Sequence, residues 1–544
     1  MSDHPRSDQP SAPASAGATR REFVATTAAA AAAWMIVPRH VLGQGQTPPS
    51  DLVNIAVVGI NGMGAVNAEA VMSQNIVAIC DADEGLLDAK IERWKESLRP
   101  PKPNPRPPAP RPPRTPPPTL AWNAFGPSTL QRDADAAWPA PQPRAELQRF
   151  VDQQLPRLEK YADYREMLEK QRDLDGVIIA TPDHMHAPIA SAAMAAGKHV
   201  YVQKPMCWSV AEARHLAKQA AANPKLVTQM GNQGHSTDDA RRGQDYLAAG
   251  IIGEIREIHV WTNRPLGYWP QGVPRPKKFD GKWDELGWGN RGITDRLANA
   301  FVHKARTKTP KGLHWDLFLG AAPPVEYHPL YHPFNWRGWV DWGQGALGDM
   351  GAHLVDHPVW GLKLGLPTTI ETISTPFNNV SYPNATTTHY EFPARDGMPA
   401  VKMTWYDGGF MPARPVEMGD VPLEGTGGVL YVGSKGKMLQ DNTGAKPRLL
   451  PLELHNGTGA PPEKMPRVPH QHHEMNWVNA IRGRDTISCP FAYAAHLTEI
   501  MLLGIAALRA GTRLEYDGAA MRVTNVASGN DLLTRQYRPG FGLA

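Results

Sequence analysis

Three short runs carry the side chains best suited to acid–base chemistry. The first is Gly345-Ala346-Leu347-Gly348-Asp349-Met350-Gly351-Ala352-His353-Leu354-Val355-Asp356-His357. As a helix it places Asp349, His353 and Asp356 or His357 on one face, carboxylate beside imidazole. Histidine titrates near neutrality, so His353 is a natural proton acceptor or donor, with Asp349 to orient it or to bind a substrate hydroxyl. The second run is Val202-Gln203-Lys204-Pro205, just past a strand. A lysine in a partly apolar cleft can transfer a proton or polarise a hydroxyl oxygen as its ammonium. The third is Ala180-Thr181-Pro182-Asp183-His184-Met185-His186, at the carboxyl end of another strand, where ligands of parallel sheets bind. Thr181, Pro182, His184 and His186 are therefore expected to face a cofactor. His184 and His186 lack a nearby third ligand, and Pro358 disturbs the backbone after His357, so no metal site is assigned.

A fourth run, Gly59-Ile60-Asn61-Gly62-Met63-Gly64, follows a β-branched stretch and opens an Ala-rich helical one. Glycines there allow a tight turn and close approach of a pyrophosphate to a helix N-terminus. Asn61 stands where the usual spacing has glycine, and asparagine tolerates positive φ. Asp81, at the end of the next strand, can accept hydrogen bonds from a ribose diol and would repel a 2′-phosphate, which favours NAD over NADP.

The elements that must position these residues alternate. Strand-like runs at 52–58, 75–79, 176–180, 199–202 and 226–230 are separated by helical patterns at 84–98, 187–196 and 210–221, which implies a parallel, doubly wound sheet. After about residue 253, strand-like runs at 255–262, 387–392, 400–405 and 428–432 occur without regular helices between them. They predict a second domain with a large, mostly antiparallel sheet. The expected organisation is an α/β fold: a dinucleotide-binding domain over 50–235, a substrate-binding and oligomerisation α/β domain over 236–525, and a tail over 526–544. A Pro-rich insertion over about 99–145 reads as extended and solvated. His470, His472 and His473 read as a polar helix start, and the aromatic-rich stretch from Trp261 to Trp342 could stack on sugar faces.

With 544 residues, 41% hydrophobic and 20% charged, the chain has the composition of a multidomain globular protein. Its formal net charge of +4 is local, because Arg99, Lys102, Arg106, Arg111 and Arg114 face no acid between 99 and 118. This excludes a nucleic-acid-binding face. The three cysteines, Cys80, Cys207 and Cys489, have no CxxC spacing and read as small buried apolar residues. Residues 1–43, with Thr19-Arg20-Arg21-Glu22-Phe23 before a short Ala-rich run, have the pattern of a twin-arginine signal peptide. The expectation is a periplasmic or otherwise exported protein, handled by the twin-arginine machinery and without stable membrane insertion once the signal is removed.

Taken together, the glycine turn at 59–64, Cys80-Asp81-Ala82-Asp83, the Thr181–His186 loop, Lys204-Pro205, Gln229-Met230-Gly231-Asn232-Gln233 and the 345–353 run resemble the Gfo/Idh/MocA oxidoreductases, the family of glucose-fructose oxidoreductase and inositol dehydrogenase. The resemblance covers most of 52–525. It implies a Rossmann domain joined to an α/β domain whose open sheet makes a homo-oligomer, dimer or tetramer. It also implies NAD(P)-linked oxidation or reduction of a sugar or polyol hydroxyl, with Lys204, Asp349 and His353 as the catalytic set. The cofactor-binding residues expected are Gly59, Asn61, Gly62, Met63, Gly64, Asp81, Thr181, Pro182, His184, His186, Gln203 and Lys204. Gln203 stands where the family has Glu, which removes a charge beside Lys204. Export makes free NAD scarce, so a tightly held nucleotide is expected. Two alternatives follow: a redox-neutral glycosidase, lyase or sugar–sugar oxidoreductase working through a keto-sugar, and a carbohydrate- or nucleotide-binding protein without catalysis.

Overall fold

The computed structural model describes residues 52–100, 119–276 and 308–544. Residues 1–43, read above as a signal peptide, the core of the Pro-rich stretch and part of the Trp261–Trp342 stretch lie outside the described residues. A unit spanning Val53–Ala544 holds all the elements that follow.

The first sheet is wholly parallel. Its strands are β1 (Asn54–Val58), β2 (Asn75–Cys80), β3 (Glu159–Tyr161), β4 (Gly176–Ile179), β5 (His199–Gln203) and β6 (Thr228–Gly231), in the order β3-β2-β1-β4-β5-β6. Their centres are continuous apolar runs because helices cover both faces. Between them run the helices Met63–Ala70, Glu84–Ser97, His186–Ala195 and Val210–Ala222. Side chains define their starts: Asp83 accepts from Leu86 N, and Ser209 with Glu212 forms a capping box. Because all six strands run the same way, their carboxyl ends carry Gly59, Asp81, Ala180, Lys204 and Asn232 to one edge of the sheet.

The second sheet contains β7 (Ile255–Thr262), β8 (Thr369–Ser374), β9 (Thr386–Phe392), β10 (Val401–Tyr406), β11 (Gly427–Gly433), β12 (Lys437–Asp441), β13 (Arg448–Leu450), β14 (Leu514–Asp517) and β15 (Arg522–Val523). The order is β13-β12-β11-β7-β10-β9-β8-β14-β15, and every neighbouring pair is antiparallel except β7 with β10. Along β9 the residues alternate: Thr386, Thr388, Tyr390 and Phe392 are buried and the residues between them are not.

The inward face packs on an element absent from the sequence reading, the 20-residue helix Phe491–Ala510. This helix is apolar on all sides because the sheet covers one flank and Val210–Ala222 another. It is long and apolar enough to cross a membrane, and most of it is buried inside the fold. Truncating a fully buried leucine such as Leu503 to alanine would cost about 2–5 kcal/mol.

The described part of the Pro-rich insertion corrects the expectation of an unstructured loop. Thr129–Ala136 and Pro143–Arg149 are helices. Ser128 caps the first, Pro143 begins the second, and the buried Gln131 donates to Val468 O, so local capping chemistry outweighs the proline-rich surroundings. The segment 526–544 also packs: Ala544 N donates to Ser191 Oγ, and Phe541 is buried. The three cysteines are buried and unpaired.

Candidate active site

A cleft of about 720 Å³ opens where the first sheet's carboxyl edge meets residues of the second half of the chain. Its lining runs from Gly59, Asn61, Gly62, Met63 and Asp81 to Gln203, Lys204, Asp349 and His353.

The glycine turn is built for close approach. A Cβ on Gly64 would stand 1.6 Å from Gly59 O, and one on Gly59 would meet Ala180 O at 2.7 Å. Gly62, at φ +63°, has no protein atom within 4 Å of where a Cβ would be. It faces the cleft. The helix Met63–Ala70 has no side-chain cap and no acid in its first turn, leaving its N–H groups for an anion. These features fit a dinucleotide pyrophosphate. The positive φ values fall on Gly59 and Gly62 rather than Asn61, so the asparagine replaces a glycine whose conformational freedom this turn does not use. Gly64 does not reach the cleft lining; it works by packing.

Asp81 is more committed than its position in sequence suggests. Oδ2 accepts from Ile60 N at 2.9 Å and Oδ1 from Asp83 N at 2.9 Å, so a ribose diol would use the second lone pair of each oxygen. Burial raises its pKa to about 6, against the pull of these backbone donors.

The loop after β4 divides into two roles. Thr181, Pro182 and His186 line the cleft. His184 does not: it is fully buried with Nε2 2.9 Å from Phe318 O, a correction to its expected place at the cofactor. His186 lines the cleft with its ring nitrogens 2.7 Å from Pro205 O and 2.8 Å from Thr181 O. It braces the strand end against the turn carrying Lys204.

Lys204 donates to Asp349 Oδ1 at 2.7 Å and to Asp349 O at 2.8 Å. Burial would raise the Asp349 pKa, but Lys204 and Arg337 outweigh it and hold the carboxyl at about 2. Asp349 makes no hydrogen bond to His353, contrary to the expected pairing along the helix. The partner of His353 is Asn232, whose Oδ1 lies 3.2 Å from Nδ1. The Asn232 amide is fixed by donation from Nδ2 to Ala352 O at 2.7 Å, so its oxygen must face the imidazole. Nδ1 then carries the proton and Nε2 keeps its lone pair. Burial, with Lys204 nearby, lowers the His353 pKa to about 3, which keeps the ring neutral.

The 345–357 run is two helices, Gly345–Leu354 and Asp356–Gly361. Asp356 is buried and accepts from Tyr493 and pairs with His235, away from the cleft; His357 is buried beside Gly444. His472 caps the helix His473–Ile481 through Met475 N, and His473 is buried between Ser236 and Met230 O.

Gln203 lines the cleft but donates from Nε2 to Asn67 Oδ1 at 2.8 Å, and Asn67 donates to Glu474 Oε1 at 2.7 Å. Lys204 thus has a carboxylate partner in Asp349, and the loss of a Glu at 203 does not strip it of one. Asn232, Asp183, Arg264, Arg337 and the Asn67–Glu474 pair were not singled out from the sequence for any role. Asn232 sits in a quoted motif; Asn67 and Glu474 are 407 positions apart and share no local signal.

Two family models match. One, described as an oxidoreductase family with an NAD-binding Rossmann fold, covers residues 126–230, and its companion for the C-terminal α/β domain covers 299–370. The chain is similar to the "Uncharacterized oxidoreductase YdgJ" of Escherichia coli (strain K12), 30% identical over 25% of this chain and 36% of that protein. It is similar to "Glycosyl hydrolase family 109 protein 1" of Shewanella sp. (strain MR-4), 31% identical over 20% of this chain and 24% of that protein. It is also similar to "Inositol 2-dehydrogenase 1" of Saccharopolyspora erythraea, 27% identical over 25% and 40%. The match spans well under half the length of each relative. The parallel sheet ordered β3-β2-β1-β4-β5-β6, a glycine turn shaped for NAD and both matched segments agree: over 126–230 and 299–370 the chain is similar to the Gfo/Idh/MocA oxidoreductases.

Proposed function

We propose that the protein is an NAD-dependent oxidoreductase acting on a hydroxyl of a sugar or polyol, with the nucleotide held tightly. The observation that carries this reading is the convergence of Lys204, Asp349 and His353 on a cleft that also contains the glycine turn. Bound NAD would supply the hydride acceptor. His353 Nε2, unprotonated because Asn232 holds the proton on Nδ1, accepts the hydroxyl proton. Lys204, with two N–H groups held by Asp349, directs its third at the substrate oxygen and stabilises the charge that develops there. Asp349 acts on Lys204 and not on His353.

Quantifying nucleotide released on denaturation, then following NADH across a sugar and polyol panel, tests the reading. Near-stoichiometric NAD and turnover lost in Lys204→Ala are expected; a protein that neither carries nor binds NAD overturns it. Similarity to a glycosyl hydrolase family 109 protein favours a second reading, a redox-neutral cleavage through a keto-sugar. Its mark would be glycoside cleavage without net NADH.

Export through the twin-arginine pathway belongs to this proposal, supported by Arg20-Arg21-Glu22-Phe23 and the Ala-rich run after it. So does homo-oligomerisation, supported by the outward face of the second sheet, where Ile373 is 60% exposed.

A further inference from the structure

Three cations crowd one carboxylate in the cleft. Lys204 Nζ lies 2.7 Å from Asp349 Oδ1, Arg337 Nε 4.0 Å from the same oxygen, and Arg264 Nε 3.9 Å from Oδ2. All three side chains are largely shielded from water, at 12%, 22% and 20% exposure. The guanidiniums lie over rings: Arg264 over Tyr268 at 3.2 Å from its centroid, and Arg337 over Trp336 at 4.2 Å and Phe334 at 4.4 Å. Arg337 is anchored further by donation to Phe334 O, and Arg264 by donation to Asn263 Oδ1. Their remaining N–H edges are unused among the described residues.

A cation shielded from water without a matching anion is costly, and one carboxylate cannot neutralise three. The other carboxyl near Lys204 among the described residues, Asp183, is buried and keeps its proton up to about pH 8, so it offers little compensation at neutrality. Nucleotide phosphates belong at the glycine turn, whereas these arginines gather on Asp349. A planar guanidinium with a free edge is suited to bidentate contact with a carboxylate or phosphate.

Resting on the oxidoreductase reading, we propose that the substrate is an anionic carbohydrate, a sugar or sugar acid whose carboxylate or phosphate is taken by Arg264 and Arg337 while its hydroxyl lies at Lys204 and His353.

The test is calorimetric titration of the full-length, NAD-loaded protein with D-glucuronate, D-glucose 6-phosphate, D-glucose and myo-inositol, with NADH followed in parallel. At least one anionic ligand should bind 10-fold or more tighter than glucose, with an advantage that shrinks between 50 and 500 mM salt. Comparison of glucuronate with glucose 6-phosphate separates carboxylate from phosphate recognition. Arg337→Gln and Arg264→Gln should each lower anionic affinity about 10-fold and glucose affinity less than 3-fold, with Arg337→Lys intermediate. Neutral ligands binding as tightly as anionic ones, no binding of either anionic ligand, or selectivity untouched by both substitutions would overturn the proposal. Should a variant misfold, as judged by circular dichroism and NAD content, the wild-type panel and its salt dependence still decide. Redox turnover of neutral polyols with no anionic preference sinks this inference alone, whereas anionic binding with no redox turnover sinks the oxidoreductase reading and leaves the anion site standing.

Discussion

Lys204 and Asp349 meet through two hydrogen bonds, the ammonium donating both to the carboxylate at 2.7 Å and to the same residue's backbone carbonyl at 2.8 Å. The second bond fixes the lysine against the helix Gly345–Leu354 itself, so its position survives loss of the carboxylate better than loss of the ammonium would be tolerated. Lys204→Met should lower kcat by 100-fold or more, in the range of a lost acid–base or charge-stabilising group. Asp349→Asn should cost less, because the backbone carbonyl still holds Nζ. The pair is shielded, and Lys204→Met leaves Asp349 with only the more distant arginines. Stability should therefore fall by about 1–3 kcal/mol and recover in part in Lys204→Met/Asp349→Asn. Urea unfolding of the three variants reads this out; an uncoupled, additive double variant would contradict the pairing.

The pH profile should lack the usual histidine limb. His353 is held at about 3 by burial and by Lys204, so it is a neutral base across the physiological range and turnover should not fall through pH 6.5. Asp183 is different: burial, opposed by Arg337 and Lys204, raises it to about 8. Ionisation above that pH places a new negative charge near Lys204, so kcat/KM should break near pH 8 in the wild type and not in Asp183→Asn. The stability sign follows from linkage. Between about pH 4, where an unfolded Asp titrates, and pH 8, the folded state binds one proton more than the unfolded state. This contribution is fully present below about pH 4 and is lost as pH rises towards 8. The Tm of Asp183→Asn minus that of the wild type should therefore increase over this window; a difference independent of pH would show that Asp183 is not protonated in the fold.

Gly62 and Gly64 separate nucleotide binding from folding. Gly64→Ala drives a methyl into Gly59 O and should destabilise the β1 turn, lowering Tm and NAD affinity together. Gly62→Ala meets no protein atom, so its cost is the backbone conformation, φ +63° and ψ −121°, about 1–3 kcal/mol, plus a methyl projecting toward the nucleotide. It should lower NAD affinity 10-fold or more with a smaller loss of Tm than Gly64→Ala, whose methyl would also clash with Gly59 O. Equal effects of the two on Tm would contradict the open space at Gly62.

The parallel sheet was legible because its strands are short apolar runs bounded by glycine, proline and acid, and the chemistry sits at their ends where such sheets bind ligands. Lys204, Asp349 and His353 could be named from residue type and spacing. Their pairing could not: on one helix face Asp349 and His353 look like partners, whereas the fold pairs Asp349 with Lys204, just past β5, and His353 with Asn232, just past β6. The helix Phe491–Ala510 escaped detection because its apolar residues surround it, leaving no helical period to count. His184 looked like a ligand contact and is a core residue, since nothing local distinguishes a histidine facing a cleft from one bonded to Phe318 O.

Gln203 offers the most discriminating substitution, because the buried chain from Gln203 through Asn67 to Glu474 has a direction. Gln203 Nε2 donates to Asn67 Oδ1, Asn67 Nδ2 donates to Glu474 Oε1, and Glu474 also accepts from Tyr201 Oη at 3.2 Å and Gln233 Nε2 at 3.1 Å. In Gln203→Glu an acceptor replaces the donor. Asn67 can then flip its amide toward residue 203, but its oxygen would face the Glu474 carboxylate, so one end of the chain is always left with two acceptors in contact. The expected cost is about 1–3 kcal/mol, the penalty of an unsatisfied buried polar group, or more if both carboxylates stay ionised. Glu474→Gln supplies a donor at the far end and lets the flipped Asn67 bond in both directions. Gln203→Glu/Glu474→Gln should therefore be more stable than Gln203→Glu alone, although Glu474→Gln by itself weakens the wild-type chain. A double-mutant cycle by urea unfolding should give a coupling of 1 kcal/mol or more in the rescuing sense. No coupling would mean that Gln203 and Glu474 do not communicate through Asn67, and that the residue at 203 is set by the cleft alone.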